Sequence, residues 1–167
     1  MLTLFGAIGV LFLAVVWGAV QSEREAPAIH SILLRMQWLE YNPLALSSRV
    51  IPLSQVQMTP AIKRRLWNRE SQELASTFAP GSSLIARDRQ IFRNVLRAKS
   101  RMQNEHIRVS VESVIVVGPW ARATFQTKET WNHDLNGETG TAYLRRVDDH
   151  WRVVSASEQF IPGEAPG

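Results

Sequence analysis

The chain has 167 residues, with 19 Lys and Arg against 15 Asp and Glu, a formal charge of +4 and a sequence pI near 10.1. That length leaves room for one ordinary domain beyond an apolar leader, and the absence of cysteine excludes a disulfide framework and thiolate metal sites. The moderate basic excess favours anionic surfaces, whether lipid headgroups, nucleic acid or an acidic partner, without choosing among them.

Met1 to Val20 holds no Asp, Glu, Lys or Arg and runs through Leu2, Leu4, Phe5, Ile8, Val10, Leu11, Phe12, Leu13, Val15 and Val16. Twenty residues at about 1.5 Å each span roughly 30 Å, the thickness of a bilayer's hydrocarbon core. Residues 1–21 therefore read as a single transmembrane helix, with Trp17 placed where indole rings favour the interface. The competing readings are a cleaved secretory signal and a buried helix. No basic residue precedes the run, and a cut after Ala19 would put Trp17 at position −3, whereas a cut after Gly18, with Val16 at −3, stays open. Arg24 and Arg35 follow the run among Glu23 and Glu25, so flanking charge hardly sets the orientation.

Residues 22–58 read as a juxtamembrane helix and a connector. Pro27 suits a first helical turn, and Ile29, Ile32, Leu33, Met36 and Leu39 follow at spacings of three and four until Asn42-Pro43. The stripe is expected to be the first core helix; a membrane-surface or partner-binding helix is the alternative. Leu44 to Met58, with Pro52, reads as connecting chain.

The domain proper is expected over 59–160. Thr59-Pro60 pairs an N-cap with proline at the first helical position, and Ile62, Leu66, Leu74 and Phe78 fall at multiples of four until Pro80-Gly81. A second helix is expected over about Leu84 to Met102, with Ile85, Ile91, Phe92, Val95 and Leu96 on its apolar side. Its other side repeats Arg89, Arg93, Arg97 and Arg101 at i+4, a candidate anion- or partner-binding surface beside the simpler reading of a solvated face.

After Glu105 the period changes to two. Ile107, Val109, Val111, Ile115 and Val117 are expected on one face of a first strand ending at Gly118-Pro119. A second strand, Trp120 to Trp131, should turn Ala121, Ala123, Phe125 and Trp131 to one side. A loop containing Asn136-Gly137 is expected next, then strands Thr141 to Val147 and Trp151 to Phe160 joined at Asp148-Asp149-His150. Short connections make this an antiparallel meander, so the fold class is α+β, amphipathic helices on one face of a curved four-stranded sheet. Residues 161–167 read as a flexible tail.

Helices followed by a meander that closes with Thr141-Ala142-Tyr143-Leu144-Arg145-Arg146-Val147 and Trp151-Arg152-Val153-Val154, preceded by Trp120-Ala121-Arg122-Ala123-Thr124-Phe125, resemble the NTF2-like superfamily over about Thr59 to Phe160. With one N-terminal membrane helix, the arrangement is similar to the bitopic inner-membrane scaffold subunits of type IV secretion and conjugation machines. Phe78-Ala79-Pro80-Gly81-Ser82 and Lys128-Glu129-Thr130-Trp131 fit that comparison loosely, and the chain departs from it by being short. The resemblance implies a single-pass protein with its domain in the periplasm or otherwise outside the cytoplasm, self-association, and protein partners in a cell-envelope complex.

Some NTF2-like relatives are isomerases or hydrolases that use carboxylates inside the cone formed by helices and sheet, the alternative function here. Asp88 and Glu105 are expected near helix ends, Asp134, Asp148 and Asp149 in turns, and Glu112, Glu129 and Glu158 on strands, with Glu112 solvated. His30, His106, His133 and His150 form no H-x-x-x-H pair, and there is no G-x-S-x-G elbow or glycine-rich phosphate loop. No catalytic residue, metal site or cofactor is therefore assigned. Most of the six tryptophans should be core; Trp120, beside Gly118-Pro119, is the candidate for an exposed contact. Basic and aromatic residues do not interleave densely on any strand, so nucleic acid is not an expected partner.

Overall fold

The computed structural model describes residues 2–41, 59–98, 106–131 and 134–161, with side chains described outside 2–17, 95, 98, 130–131 and 134–136. Three helices, α1 (Leu2–Tyr41), α2 (Pro60–Thr77) and α3 (Leu84–Ala98), precede four strands, β1 (His106–Val117), β2 (Trp120–Trp131), β3 (Asp134–Val147) and β4 (His150–Phe160). The strands form one antiparallel sheet in the order β1-β2-β3-β4, an α+β arrangement with the helical part first. Among the described residues no helix is long and apolar enough to cross a membrane. The apolar run Met1 to Val20 falls mostly on side chains outside that description, as do the connector over 42–58 and the tail from 162 on.

Pro27 does not begin a helix. It lies inside α1, which runs unbroken from Leu2 to Tyr41, so the boundary expected near residue 21 falls within one continuous helix. Proline there removes its own donor to the Glu23 carbonyl and crowds that carbonyl with its ring, at an exposed position where water can take the donor's place. Tertiary contacts on both sides keep the helix whole. The backbone N–H of Val116 donates to Ser22 Oγ at 3.1 Å, and the ring of His30 donates from Nε2 to the carbonyl of Val109 at 2.9 Å. Beyond Pro27 the expected stripe is core: Ile29, Leu33, Met36 and Leu39 are fully buried.

Thr59 caps α2 as its sequence suggests, its side chain accepting from the Ile62 N–H at 3.4 Å. After Phe78 the chain crosses to the β4 edge, where Phe78 bridges Val153, the Ala79 N–H donates to the Val153 carbonyl at 2.8 Å and the Ser82 hydroxyl donates to the Val154 carbonyl at 2.8 Å. Gly81, at φ 85°, makes the bend into α3.

Two strand expectations change, each for a local reason. Val111 pairs with Phe125 but Ser113 pairs with Thr124, so Glu112 is an extra residue in a β-bulge. The bulge reverses the alternation: Val109, Val114 and Val116 face the helices, while Ile115 and Val117, expected inside, stand 54% and 71% exposed on the other face. Asn136-Gly137 is not a turn. Asn136 pairs with Glu129 and Gly137 with Lys128, and the hairpin closes between Trp131 and Asp134. The register Ala121↔Leu144, Ala123↔Ala142 and Phe125↔Gly140 aligns buried positions of both strands, and that burial outweighs a local turn preference.

Gly140 is where Phe125 lies across the sheet. A Cβ there would sit 2.6 Å from the Phe125 ring and 3.0 Å from Glu158. Gly140→Val is therefore expected to destabilise the fold by about 1–3 kcal/mol, measured by urea unfolding, because the fully buried ring has no room to retreat.

Ala121, Ala123 and Ala142 are buried with Val109, Val116, Leu144 and Val153 under Ile29, Leu33 and Met36, and these small side chains let α1 approach the sheet closely. Phe78 and Phe125, at 0–1% exposure, fill space between the helices and the sheet, and the fully buried Phe92 packs against Trp67 between α2 and α3.

Candidate functional site

Three groups of polar and aromatic side chains have the geometry to do something besides fold the chain. The first is on the surface of α2 and α3. Arg89, Arg93 and Arg97 are exposed, and none has an acidic partner among the described residues. Arg93 lies over the Trp67 ring at 5.8 Å from its centroid, and that ring meets Phe92 at 5.8 Å. Lys63, Trp67, Arg93, Leu96 and Arg97 line an open groove of about 480 Å³. An aromatic floor beneath three cations suits a carboxylate-bearing segment with an apolar side chain beside the acid. Arg101 lies outside the described residues.

Arg87, on the same helix, lies off this stripe. It turns inward to Glu40 at 2.8 Å and Asp88 at 2.9 Å and belongs to the second group, a buried acidic cluster. Gln37 donates to Glu158, and the Tyr41 hydroxyl donates to Glu138, which joins the end of α1 to β3 and β4. Asp88 is fully buried and Glu70 is 1% exposed, and among the described residues Asp88 Oδ2 and both Glu70 oxygens have no hydrogen-bond partner. Burial, with the nearby Asp88 and Glu73, pushes the Glu70 carboxyl up to about 8. Burial and the Glu158 carboxylate push Glu40 up to about 7, and burial also raises Asp88 and Glu158. Near neutral pH the cluster therefore holds protons that ordinary carboxyls would have lost. No grouping of His, Asp and Glu among the described residues has the geometry to hold a metal ion.

Of these carboxylates the sequence pattern places Asp88 near a helix end and Glu158 on a strand and assigns Glu70 no role, yet the positions of Glu70 and Asp88 were legible. Glu70 fills the gap between Leu66 and Leu74 in the four-residue stripe of α2, and Asp88 sits between Leu84 and Phe92 on the buried line of α3. On β2 the inward alternation of Ala121, Ala123 and Phe125 continues to the buried Thr127 and Glu129. Glu112, the bulge residue, is exposed and accepts from Gln126 at 2.6 Å.

The third group joins α1 to the closing hairpin. Glu25 accepts from Trp151 Nε1 at 2.9 Å and pairs with Arg146 at 2.6 Å, and the Arg146 guanidinium lies 4.8 Å over the Trp151 ring. Hydrogen bonds from Arg146 and then Trp151 hold the Glu25 carboxyl below its ordinary range. On the opposite face, Trp120 is 49% exposed with Arg145 5.7 Å over its ring, in register with Val117.

No protein-family model matches the chain, and no curated protein matches it. Among solved structures it is similar to a de novo designed beta-sheet protein determined by solution NMR. The match has 16% identity and a TM-score of 0.42 over 85% of this chain and 94% of the designed one. That likeness carries no argument about family or function.

Proposed function

We propose that the chain is a membrane-anchored, non-catalytic scaffold domain of the NTF2-like type, working in a cell-envelope complex such as a type IV secretion or conjugation apparatus. Residues 1–20 hold it in the bilayer, the domain stands outside the cytoplasm, and it self-associates and binds protein partners. The observation that best supports this reading is the cationic groove over Trp67, where Arg93 and Arg97 have no acidic partner among the described residues and exposed guanidinium groups on an aromatic floor offer a binding surface. The basic groove takes an acidic segment of a partner, and long-range attraction to that segment speeds its capture.

Changing Arg93 and Arg97 together to Glu is expected to abolish crosslinked capture of partners from intact membranes while leaving the far-ultraviolet circular dichroism and the melting temperature in place. Both positions are exposed, so folding should be indifferent to the change. Unchanged capture would remove this surface from the proposal.

A second reading, a small-molecule binder or enzyme using the interior, is favoured by the unpartnered oxygens of Glu70 and Asp88. On that reading the ligand is a cation, and a cationic compound that raises the melting temperature of the wild type but not of Glu70→Gln would select it.

A further inference from the structure

We infer that the turn end of the sheet, built on Val20, Val117, Pro119 and Trp120, is seated at the headgroup level of the bilayer that holds residues 2–20. The inference rests on the anchor proposed above and adds what the domain does at that surface.

The direction of α1 locates this end. Ser22 meets Val116, His30 meets Val109, and Gln37 and Tyr41 reach Glu158 and Glu138, so α1 runs antiparallel to β1. The helix therefore leaves the domain beside the β1–β2 turn. Ser22 comes directly after the apolar run, and twenty further helical residues extend roughly 30 Å beyond it. A bilayer holding that length has its near surface within about one helical turn of Ser22, 5.4 Å along the axis. That is the level of Val116 to Trp120. The bonds from Glu25 to Arg146 and Trp151, one turn further on, fix the helix to the closing hairpin at the same end.

The side chains there fit that surface. Val117 is 71% exposed, Val20 56% and Trp120 49%, and Pro119 is exposed between them. The bulge at Glu112 is what turns Val117 outward, against the expected alternation. Exposed apolar groups beside a tryptophan at one end of the domain are favourable at a lipid interface. Arg145 over the indole, with Arg24 and Arg122 exposed nearby, supplies cations at phosphate depth. Asp148 and Asp149 are exposed in the neighbouring β3–β4 turn, so the β1–β2 turn is the part that dips.

Because the chain contains no cysteine, single labels test this in the full-length protein. Leu11→Cys, Val117→Cys and Ser157→Cys, the last on an exposed strand position, would each carry an environment-sensitive fluorophore in phosphatidylethanolamine–phosphatidylglycerol vesicles containing acyl-chain or headgroup quenchers. The expected result is strong acyl-chain quenching at position 11, headgroup quenching at 117 several-fold above that at 157, and a blue-shifted emission at 117. Quenching at 11 with 117 no different from 157 would overturn this inference and leave the anchor standing. No quenching at 11 would overturn both. A label at 117 that ignores lipid quenchers but brightens when unlabelled protein dilutes it would place a second copy there and also overturn it.

Discussion

Glu70→Gln is expected to stabilise the domain by about 1–3 kcal/mol at pH 8.5 and to change it little at pH 4, because a buried carboxylate without partners costs at least that much. The sign follows from linkage. Folding raises the Glu70 carboxyl from 4.5 to about 8, so the folded state binds its proton more tightly than the unfolded chain does. The stability from this site is fully present below pH 4.5 and is lost as pH rises toward about 8. Glutamine cannot ionise and escapes the loss. Glu40, raised to about 7, adds a second decline that ends earlier. Urea unfolding of the full chain in non-ionic detergent, followed by tryptophan fluorescence from pH 4 to 8.5, would show a flatter dependence in the variant. An unchanged slope would mean that Glu70 is not the group losing its proton.

Arg87→Leu should act in the opposite direction. Arg87 is the cation beside both Glu40 and the fully buried Asp88, and removing it leaves carboxylates facing Glu158 and Glu138 with no compensating charge. Breaking a buried pair from one side costs about 3–5 kcal/mol, and the 38% exposure of the Arg87 side chain puts this case near the lower end. The loss should be greatest near pH 8 and smaller at pH 5, where Glu40 already carries its proton. Adding Asp88→Asn and Glu40→Gln to the same chain should recover most of it, since no uncompensated charge then remains beside the leucine. Failure of that rescue would show that Arg87 matters through the packing of its stem.

The two variants separate what the interior acids do. If both behave as expected, the cluster is a proton-holding part of the core whose stability falls with rising pH, and the fold is strongest in mildly acid surroundings. The basic groove takes Arg93 and Arg97 from the outer side of α3, while Asp88 on the same helix is buried. Partner binding and interior titration can therefore be changed independently.

Much of the architecture was readable because hydrophobic spacing is a local property. The stripe Ile29, Leu33, Met36 and Leu39, the Thr59-Pro60 start of α2, the exposed Arg89, Arg93 and Arg97 on α3 and the inward set Ala121, Ala123 and Phe125 depend on neighbours along the chain, and they stand in the structure where their periodicity put them. The acidic interior was missed for a different reason. Glu70 and Asp88 occupy buried positions of their own stripes, but a carboxylate is ordinarily assigned to the surface, and its burial becomes credible only once Arg87, Gln37 and the strands around them are brought together.

The amino-acid sequence by itself determined the class of the fold, helices before an antiparallel meander, because alternation of period 3.6 and then 2 leaves few other ways to bury the apolar faces. Only the tertiary structure decided which face Ile115 and Val117 take, that α1 passes through Pro27 without a break, and that Asn136-Gly137 lies within a strand. Each of these sets a weak local preference against many contacts from distant segments. A bulge of one residue reverses the facing of every strand residue after it, and a proline or a turn signal yields when the packed register around it is worth more.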